Sequence, residues 1–122
     1  NLRFSNELDA ETIQRRVVAI LDRGGFVYEL IWRLSGNPFL TPTGALVEAA
    51  SAAVREIMGY RPELSTDGGT SDGRFIAPTG AQVLELGAVN ASIHQVNECV
   101  GVQELEQLSA IYRRILEKLL VV

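Results

Sequence analysis

The stretch Ser35-Gly36-Asn37-Pro38 decides how this chain divides, because four consecutive turn-forming residues end one pattern and open another. Before this stretch, residues 1–34 change between strand-like and helical periods. After it, helical patterns are separated by polar, glycine-containing loops. We therefore place a domain boundary here and expect two parts, residues 1–35 and residues 36–122.

The N-terminal part has the pattern strand, helix, strand. Residues 1–5 alternate polar and apolar side chains, and the chain starts at Asn1 without a methionine, so we expect the sequence to begin inside a strand of a longer protein. Asp9 stands at the N-cap position of a helix that ends at Gly24-Gly25. Residues 26–34 then alternate with period two, which predicts a second strand.

The C-terminal part alternates helices with short apolar segments. Thr41-Pro42 predicts the start of a second helix, which ends at Gly59. Residues 82–86 have the composition of a buried strand, and apolar residues at helical spacing predict a long closing helix over 105–119. Helices alternating with strands in this way favour an α/β fold.

Composition excludes several classes of function. The 122 residues carry a net charge of −4, and their 11 Lys and Arg residues are scattered, so we expect no nucleic-acid partner. No run of 18 apolar residues exists, so we expect no membrane span. Cys99 is the single cysteine and cannot form an internal disulfide, which favours a reducing compartment, the cytoplasm.

Two polar loops contain the candidate chemistry. Residues 66–73 are glycine-rich and offer backbone amides to an anion, although a plain connecting loop explains them equally well. Residues 90–98 contain His94, the only histidine, and imidazole is the usual ligand of a catalytic zinc. Taken alone, a single histidine is more often a structural residue. A serine nucleophile is disfavoured because no G-x-S-x-G motif is present, and Cys99 is interpreted as structural.

Three segments, residues 68–76, 80–83 and 90–98, closely resemble the desuccinylase branch of the two-zinc M20-type amidohydrolases and metallopeptidases, and the resemblance extends over the whole chain. It implies a catalytic domain with a mostly parallel, helix-flanked sheet and a smaller lid that forms the dimer contact. Residues 1–35 would be the C-terminal part of the lid, and residues 36–122 the C-terminal part of the catalytic domain.

The resemblance also implies an activity. Such enzymes hydrolyse N-succinyl-LL-2,6-diaminopimelate to succinate and LL-2,6-diaminopimelate, in lysine and cell-wall biosynthesis. They act as cytoplasmic homodimers with two zinc ions per subunit, for which cobalt is an alternative.

By the same resemblance, His94 is the expected metal ligand of this chain. The expected substrate-binding residues are Arg3, Ser35, Gly69, Thr70 and Asn90. Four of them have a plainer alternative: a surface position on a strand for Arg3, a hinge for Ser35, a loop cap for Thr70 and a turn for Asn90. Glu98 either supports His94 or caps the segment before the last helix.

One histidine cannot complete a two-metal site, and no catalytic residue is assigned in this chain. We therefore expect the isolated 122 residues to be inactive, with the zinc site empty or partly filled, and to form a dimer or higher oligomer through uncovered strand edges. Three alternatives remain: a catalytically dead dimerisation or interaction module, another amidohydrolase of the same family, and a small metalloprotein in which His94 binds one metal with Asp67 or Glu98.

Overall fold

The computed structural model describes residues 1–67 and 71–121. Its elements are α1 (Ala10–Arg23), α2 (Ala45–Met58), α3 (Gly73–Ile76), a 3-10 turn (Ala77–Thr79) and α4 (Val102–Leu120). No β-strand occurs in these two ranges. None of the helices described is long and apolar enough to cross a membrane.

The described residues form two compact units. The first contains residues 1–40 and 71–81, and the second contains residues 41–67 and 82–121. Both units are defined by contacts within this chain. The division into a lid and a catalytic domain after residue 35 stays a prediction.

Helix α1, in the first unit, begins and ends where the sequence predicts. The carboxylate of Asp9 accepts a hydrogen bond from the Thr12 backbone N–H at 2.6 Å and so caps the first turn. At the other end Gly25 adopts φ +68°, a conformation that glycine reaches without strain. No residue of α1 is buried, and Ile20 is 58% exposed. The apolar face of this helix, which includes Ile13, Val17 and Leu21, is therefore only partly buried.

The predicted strands at residues 1–5 and 26–34 are wrong for the described part of the chain, where both segments are irregular. The period of two still shows in the exposure of side chains: Val27 and Ile31 are fully or mostly exposed, whereas Leu30 and Trp32 are about half as exposed. A strand needs a hydrogen-bonded neighbour, and no described residue supplies one. Alternating side chains predict which face of a strand is apolar, but they do not predict which strand it pairs with.

The second unit has a core formed by α2 and α4. The buried residues of this core are Ala49, Ala50, Ala53, Val54, Ile111 and Ile115. Ala53 is completely buried, and the small alanine side chains let the two helices approach closely. The predicted closing helix is confirmed as α4.

Residues 82–86, predicted as a buried strand, are neither fully buried nor a strand. Leu84 and Leu86 pack on the α2–α4 core with their side chains half-buried. The Tyr112 hydroxyl donates a hydrogen bond to the backbone carbonyl of Leu86 and fastens the segment to α4. Contact with two helices thus replaces the missing strand neighbours.

Helix α2 begins at Ala45, three residues later than a helix started by Pro42 would. Its N-cap is Gly44, which has no side chain to cap with. The side chain of Gln82 caps instead: Oε1 accepts from the Leu46 N–H at 3.0 Å, and Nε2 donates to the Pro42 carbonyl at 3.3 Å. A Cβ on Gly44 would collide with the Gln82 amide. Glycine here makes room for a cap supplied from a distant segment.

The Thr41 hydroxyl, expected at the helix start, bonds elsewhere. It donates to the Val83 carbonyl at 2.5 Å and accepts from the Val83 N–H at 3.3 Å. This pair imitates one step of a strand ladder with a side chain. The prediction that Thr41-Pro42 caps α2 is wrong for this reason.

A charged cluster joins the same two helices. The Glu56 carboxylate pairs with Arg114 and Lys118 at 2.6 Å each, and Glu117 pairs with Arg114 at 3.0 Å. Hydrogen bonds from Lys118 and Arg114 lower the pKa of Glu56 to about 2. The Glu56 side chain remains partly exposed, so solvent screens these pairs and their contribution to stability is small.

Candidate functional site

The candidate site is the loop of residues 90–99 in the second unit. Three successive turns shape its backbone: Ile93 N–H bonds the Asn90 carbonyl at 3.3 Å, Gln95 N–H bonds Ser92 at 3.1 Å, and Glu98 N–H bonds Gln95 at 3.2 Å. Short polar residues supply these turns. The sequence prediction of an irregular loop here is confirmed.

Two hydrogen bonds between the Ser92 side chain and the Cys99 backbone, which we call the clasp, join the two ends of the loop. The Ser92 Oγ accepts from the Cys99 N–H at 2.9 Å and donates to the Cys99 carbonyl at 2.7 Å. Both backbone groups of Cys99 are thereby bonded to one hydroxyl. Ser92, disfavoured as a nucleophile, thus holds the two ends of the loop together.

His94 lies between the residues of the clasp, with its side chain exposed. Its φ is +63° and that of Asn97 is +64°, a left-handed conformation that is uncommon for residues other than glycine. Backbone strain of this kind concentrates at functional sites. The imidazole makes no hydrogen bond to another described residue, so its nitrogens remain available to a ligand.

An open, shallow cavity of about 560 Å³ lies beside the loop. Residues 87–90 and 98–100, together with Ser92 and Ile93, form its wall. Asn90 and Glu98 contribute an amide and a carboxylate to the wall, whereas His94 is not part of it. The cavity offers hydrogen-bond donors and acceptors to a small polar ligand.

The described part of the chain does not supply a complete set of metal ligands. Within residues 1–67 and 71–121, no group of three His, Cys, Asp or Glu side chains could hold a metal ion. A mononuclear site built from His94 with Asp67 or Glu98 therefore finds no support. These residues do not by themselves fit a metal, and the role of His94 as one ligand stays a prediction.

The other predicted site residues are distributed over both units. Arg3 and Ser35 lie in the first unit with exposed side chains, and Asn90 lies with His94 in the second. Gly69 and Thr70 fall outside the described residues. The structure thus brings Asn90 and His94 onto one loop and leaves the remaining assignments as predictions.

Arg74 is a residue to which sequence reasoning assigned no role. Its stem lies on the backbone of Gly36, where a Cβ would stand 2.5 Å from Arg74 Cδ. Its guanidinium lies 4.7 Å from the centre of the Phe75 ring, and its Nε is buried with no hydrogen-bond partner among the described residues. The available signal was an arginine directly after a glycine-rich loop, which we read only as part of a motif.

Comparison with known proteins places the chain in a family. A sequence model of the peptidase family M20/M25/M40 matches residues 5–118. The chain belongs to this family. Its M20 relatives include proteins named succinyl-diaminopimelate desuccinylase: one from Thioalkalivibrio sulfidiphilus is 65% identical over 99% of this chain, and one from Acinetobacter baumannii (strain AYE) is 60% identical over 98%. The chain spans 32% of the length of each relative.

Membership confirms the resemblance predicted from the glycine-rich and histidine loops. It confirms the fold class only as far as the family, because the described residues contain helices and no sheet. M20 peptidases are metal-dependent hydrolases, so the expectation of a metal-dependent enzyme is supported at the level of the family.

Proposed function

We propose that these 122 residues are the C-terminal part of a succinyl-diaminopimelate desuccinylase. The enzyme hydrolyses N-succinyl-LL-2,6-diaminopimelate to succinate and LL-2,6-diaminopimelate, for lysine and cell-wall biosynthesis. The observation that carries this proposal is 65% identity over 121 residues to a relative of that name. At this level of identity, the loops that bind the substrate are expected to be retained with the fold.

The residues of this chain would bind and orient the substrate. The guanidinium of Arg3 would form a charge-assisted, two-pronged bond to a substrate carboxylate. Ser35, Thr70 and Asn90 would offer hydroxyl and amide groups to other polar atoms of the substrate, and Gly69 would offer a backbone N–H. The exposed Arg3 and Ser35 and the position of Asn90 on the cavity wall support these assignments.

His94 would be one ligand of a metal centre whose other ligands come from the remainder of the enzyme. Two zinc ions per subunit, or cobalt in their place, would polarise the amide and activate water when bound. The strained, exposed position of His94 on a clasped loop supports this role, because a ligand must be held outward with its nitrogen free.

The two parts of the chain would have different roles in this enzyme. Residues 1–35 would belong to the lid that forms the homodimer contact, and residues 36–122 to the catalytic domain, whose mostly parallel sheet is completed by strands outside this chain. The irregular segments 1–5 and 26–34, whose side chains alternate, would pair with strands of the lid that lie outside this chain. The enzyme would work in the cytoplasm.

His94→Ala in the full-length enzyme tests the site. We expect desuccinylation to fall by at least about 100-fold and the metal content to fall by about one ion per subunit, because an imidazole ligand is lost. Val96→Ala, two residues along the same loop, is the matched control and should retain both. Metal content is measured by plasma emission and turnover by release of succinate.

Two results would contradict the proposal. A wild-type enzyme that hydrolyses other N-acyl amino acids but not N-succinyl-LL-2,6-diaminopimelate would favour another amidohydrolase of the family. Stoichiometric zinc binding and desuccinylation by the isolated 122-residue chain would contradict the inference that His94 needs ligands from elsewhere.

A further inference from the structure

We propose that Ser92 is a positioning residue of the candidate site: its clasp to Cys99 fixes the separation of the two sides of the cavity and the backbone conformation of His94. The inference deepens the proposed function and rests on it, since it concerns how that enzyme holds its substrate. Ser92 acts through its neighbours, because its hydroxyl proton is already donated within the loop.

The clasp joins the two sides of the cavity. One side is formed by residues 87–90 and the other by residues 98–100. Ser92 follows the first side in the chain, and its hydroxyl bonds both backbone groups of Cys99, on the second side, at 2.9 and 2.7 Å. The clasp therefore sets how far the Asn90 amide stands from the second side of the cavity.

The clasp also encloses two residues whose backbone needs support. His94 and Asn97 both adopt left-handed φ values, +63° and +64°. Such a conformation persists when the surrounding structure fixes it. The three turns and the bond from Gln95 Nε2 to the Ala91 carbonyl, at 3.2 Å, each span at most four residues. Among the hydrogen bonds of the described residues, the clasp alone spans the whole segment, over seven residues.

The chemistry of the clasp requires a group that donates and accepts from one atom. The Cys99 N–H needs an acceptor and the Cys99 carbonyl needs a donor, and a hydroxyl is both. Ser92 is half-buried although residues 93–99 are exposed, so its side chain is turned into the loop. Threonine keeps this hydroxyl, whereas valine has nearly the same shape without it. The two replacements therefore separate the hydroxyl from the volume of the side chain.

The test measures the full-length enzyme with Ser92→Ala, Ser92→Val and Ser92→Thr. We expect Ser92→Ala and Ser92→Val to lower kcat/KM for N-succinyl-LL-2,6-diaminopimelate about 10- to 100-fold, because small displacements of positioning groups have effects of this size. A rise of KM by about 3-fold or more should be part of the loss, since the sides of the cavity are no longer held together. Ser92→Thr should restore most of the activity that Ser92→Val lacks.

The split between KM and kcat separates positioning from stability. A variant that only loses folded molecules has a lower apparent kcat, and the molecules that remain have an unchanged KM. A cavity whose sides have moved apart binds the substrate less tightly, so its KM is higher. The unfolding temperature, measured alongside, should change little because the loop is exposed.

Hydrogen exchange followed by mass spectrometry reports the clasp directly. The Cys99 amide should exchange about 10-fold faster or more in Ser92→Ala, because its acceptor is lost. Across the three variants, kcat/KM should follow the protection of this amide. Ser109→Ala, which removes an exposed hydroxyl from α4 in the same unit, is the control and should change neither quantity. Should Ser92→Ala not fold, the pair Ser92→Thr and Ser92→Val gives the same comparison.

Fast exchange at Cys99 together with kcat/KM within about 2-fold of wild type would overturn the inference, since the clasp would then have no effect on the site. A loss of kcat/KM at unchanged KM, or a loss in a variant whose Cys99 amide is normally protected, would overturn it as well. Absence of desuccinylation by the wild-type enzyme would instead count against the proposed function. The two failures are distinguishable, because exchange in the loop is measured without turnover.

Discussion

The two units of this chain differ in what they can bury by themselves. In the second unit, α2 and α4 cover each other, and Ala53 and Ile115 are almost entirely removed from solvent. In the first unit, α1 has no buried residue, although its apolar spacing is as regular. A helix such as α2 can bury its apolar face against one other helix. A helix that normally packs on a sheet, as we expect of α1, needs that sheet to bury its apolar face. The difference therefore lies in the partners available and not in the quality of the pattern.

The same substitution made in α4 and in α1 is the strongest test of this difference in burial. Ile115→Ala in α4 removes a side chain that is 7% exposed, and we expect it to lower the free energy of unfolding by about 2–5 kcal/mol through lost burial and a cavity. Ile20→Ala in α1 should cost less than about 0.5 kcal/mol, because its side chain already contacts water. Urea unfolding of the 122-residue chain, followed by circular dichroism, measures both. Equal losses would contradict the contrast.

Capping provides a second, smaller contrast. Helix α1 is capped by Asp9, three residues from its bonding partner, and α2 by Gln82, which lies 36 residues away from Leu46. Gln82→Ala should cost about 1 kcal/mol and increase hydrogen exchange at the Leu46 amide, since the cap is lost. Gln103→Ala, on the exposed surface of α4, is the control. Normal protection of Leu46 in Gln82→Ala would show that the cap is dispensable.

The smallest expected effect concerns charge. The pKa of Glu56 is lowered from its ordinary 4.5 to about 2 by Lys118 and Arg114, so the ion pairs stabilise the fold above about pH 4.5, and the contribution is lost as the pH falls towards 2. Glu56→Gln should slightly lower stability at pH 7 and flatten its dependence between these values. Glu11→Gln in α1, which removes a far more exposed pair with Arg15, should not change the profile. An unaltered profile in Glu56→Gln would contradict this assignment.

Helices were predictable from this sequence and strands were not, for a physical reason. Asp9, Gly24 and the apolar spacing of α4 act locally, within one or two turns, so a short window contains all that is needed. The strand pattern of residues 26–34 needs a partner that no described residue provides. The start of α2 was misplaced because Gln82, which caps it, lies outside any local window.

The candidate site was also predictable only where the signal is local in the sequence. The family and the loop around His94 could be predicted, because consecutive residues carry the motif. The hydrogen bonds between Ser92 and Cys99 and the contact of the Arg74 side chain with Gly36 could not be predicted, since each joins residues that are separated in the sequence. Periodicity and motifs contain no information about a hydroxyl that bonds two backbone groups seven residues away.

The bridges made by Gln82 and Thr41 also set an order of folding. They join residues 36 and 42 positions apart, and closing loops of that length costs entropy before any hydrogen bond forms. The apolar contact between α2 and α4 supplies a larger gain for a similar closure, so it should form in the transition state and the bridges afterwards. Refolding rates should then respond to changes at Ala53, whereas loss of Gln82 should mainly accelerate unfolding. The first turn of α2 would be the last part of that helix to become ordered and the first to open.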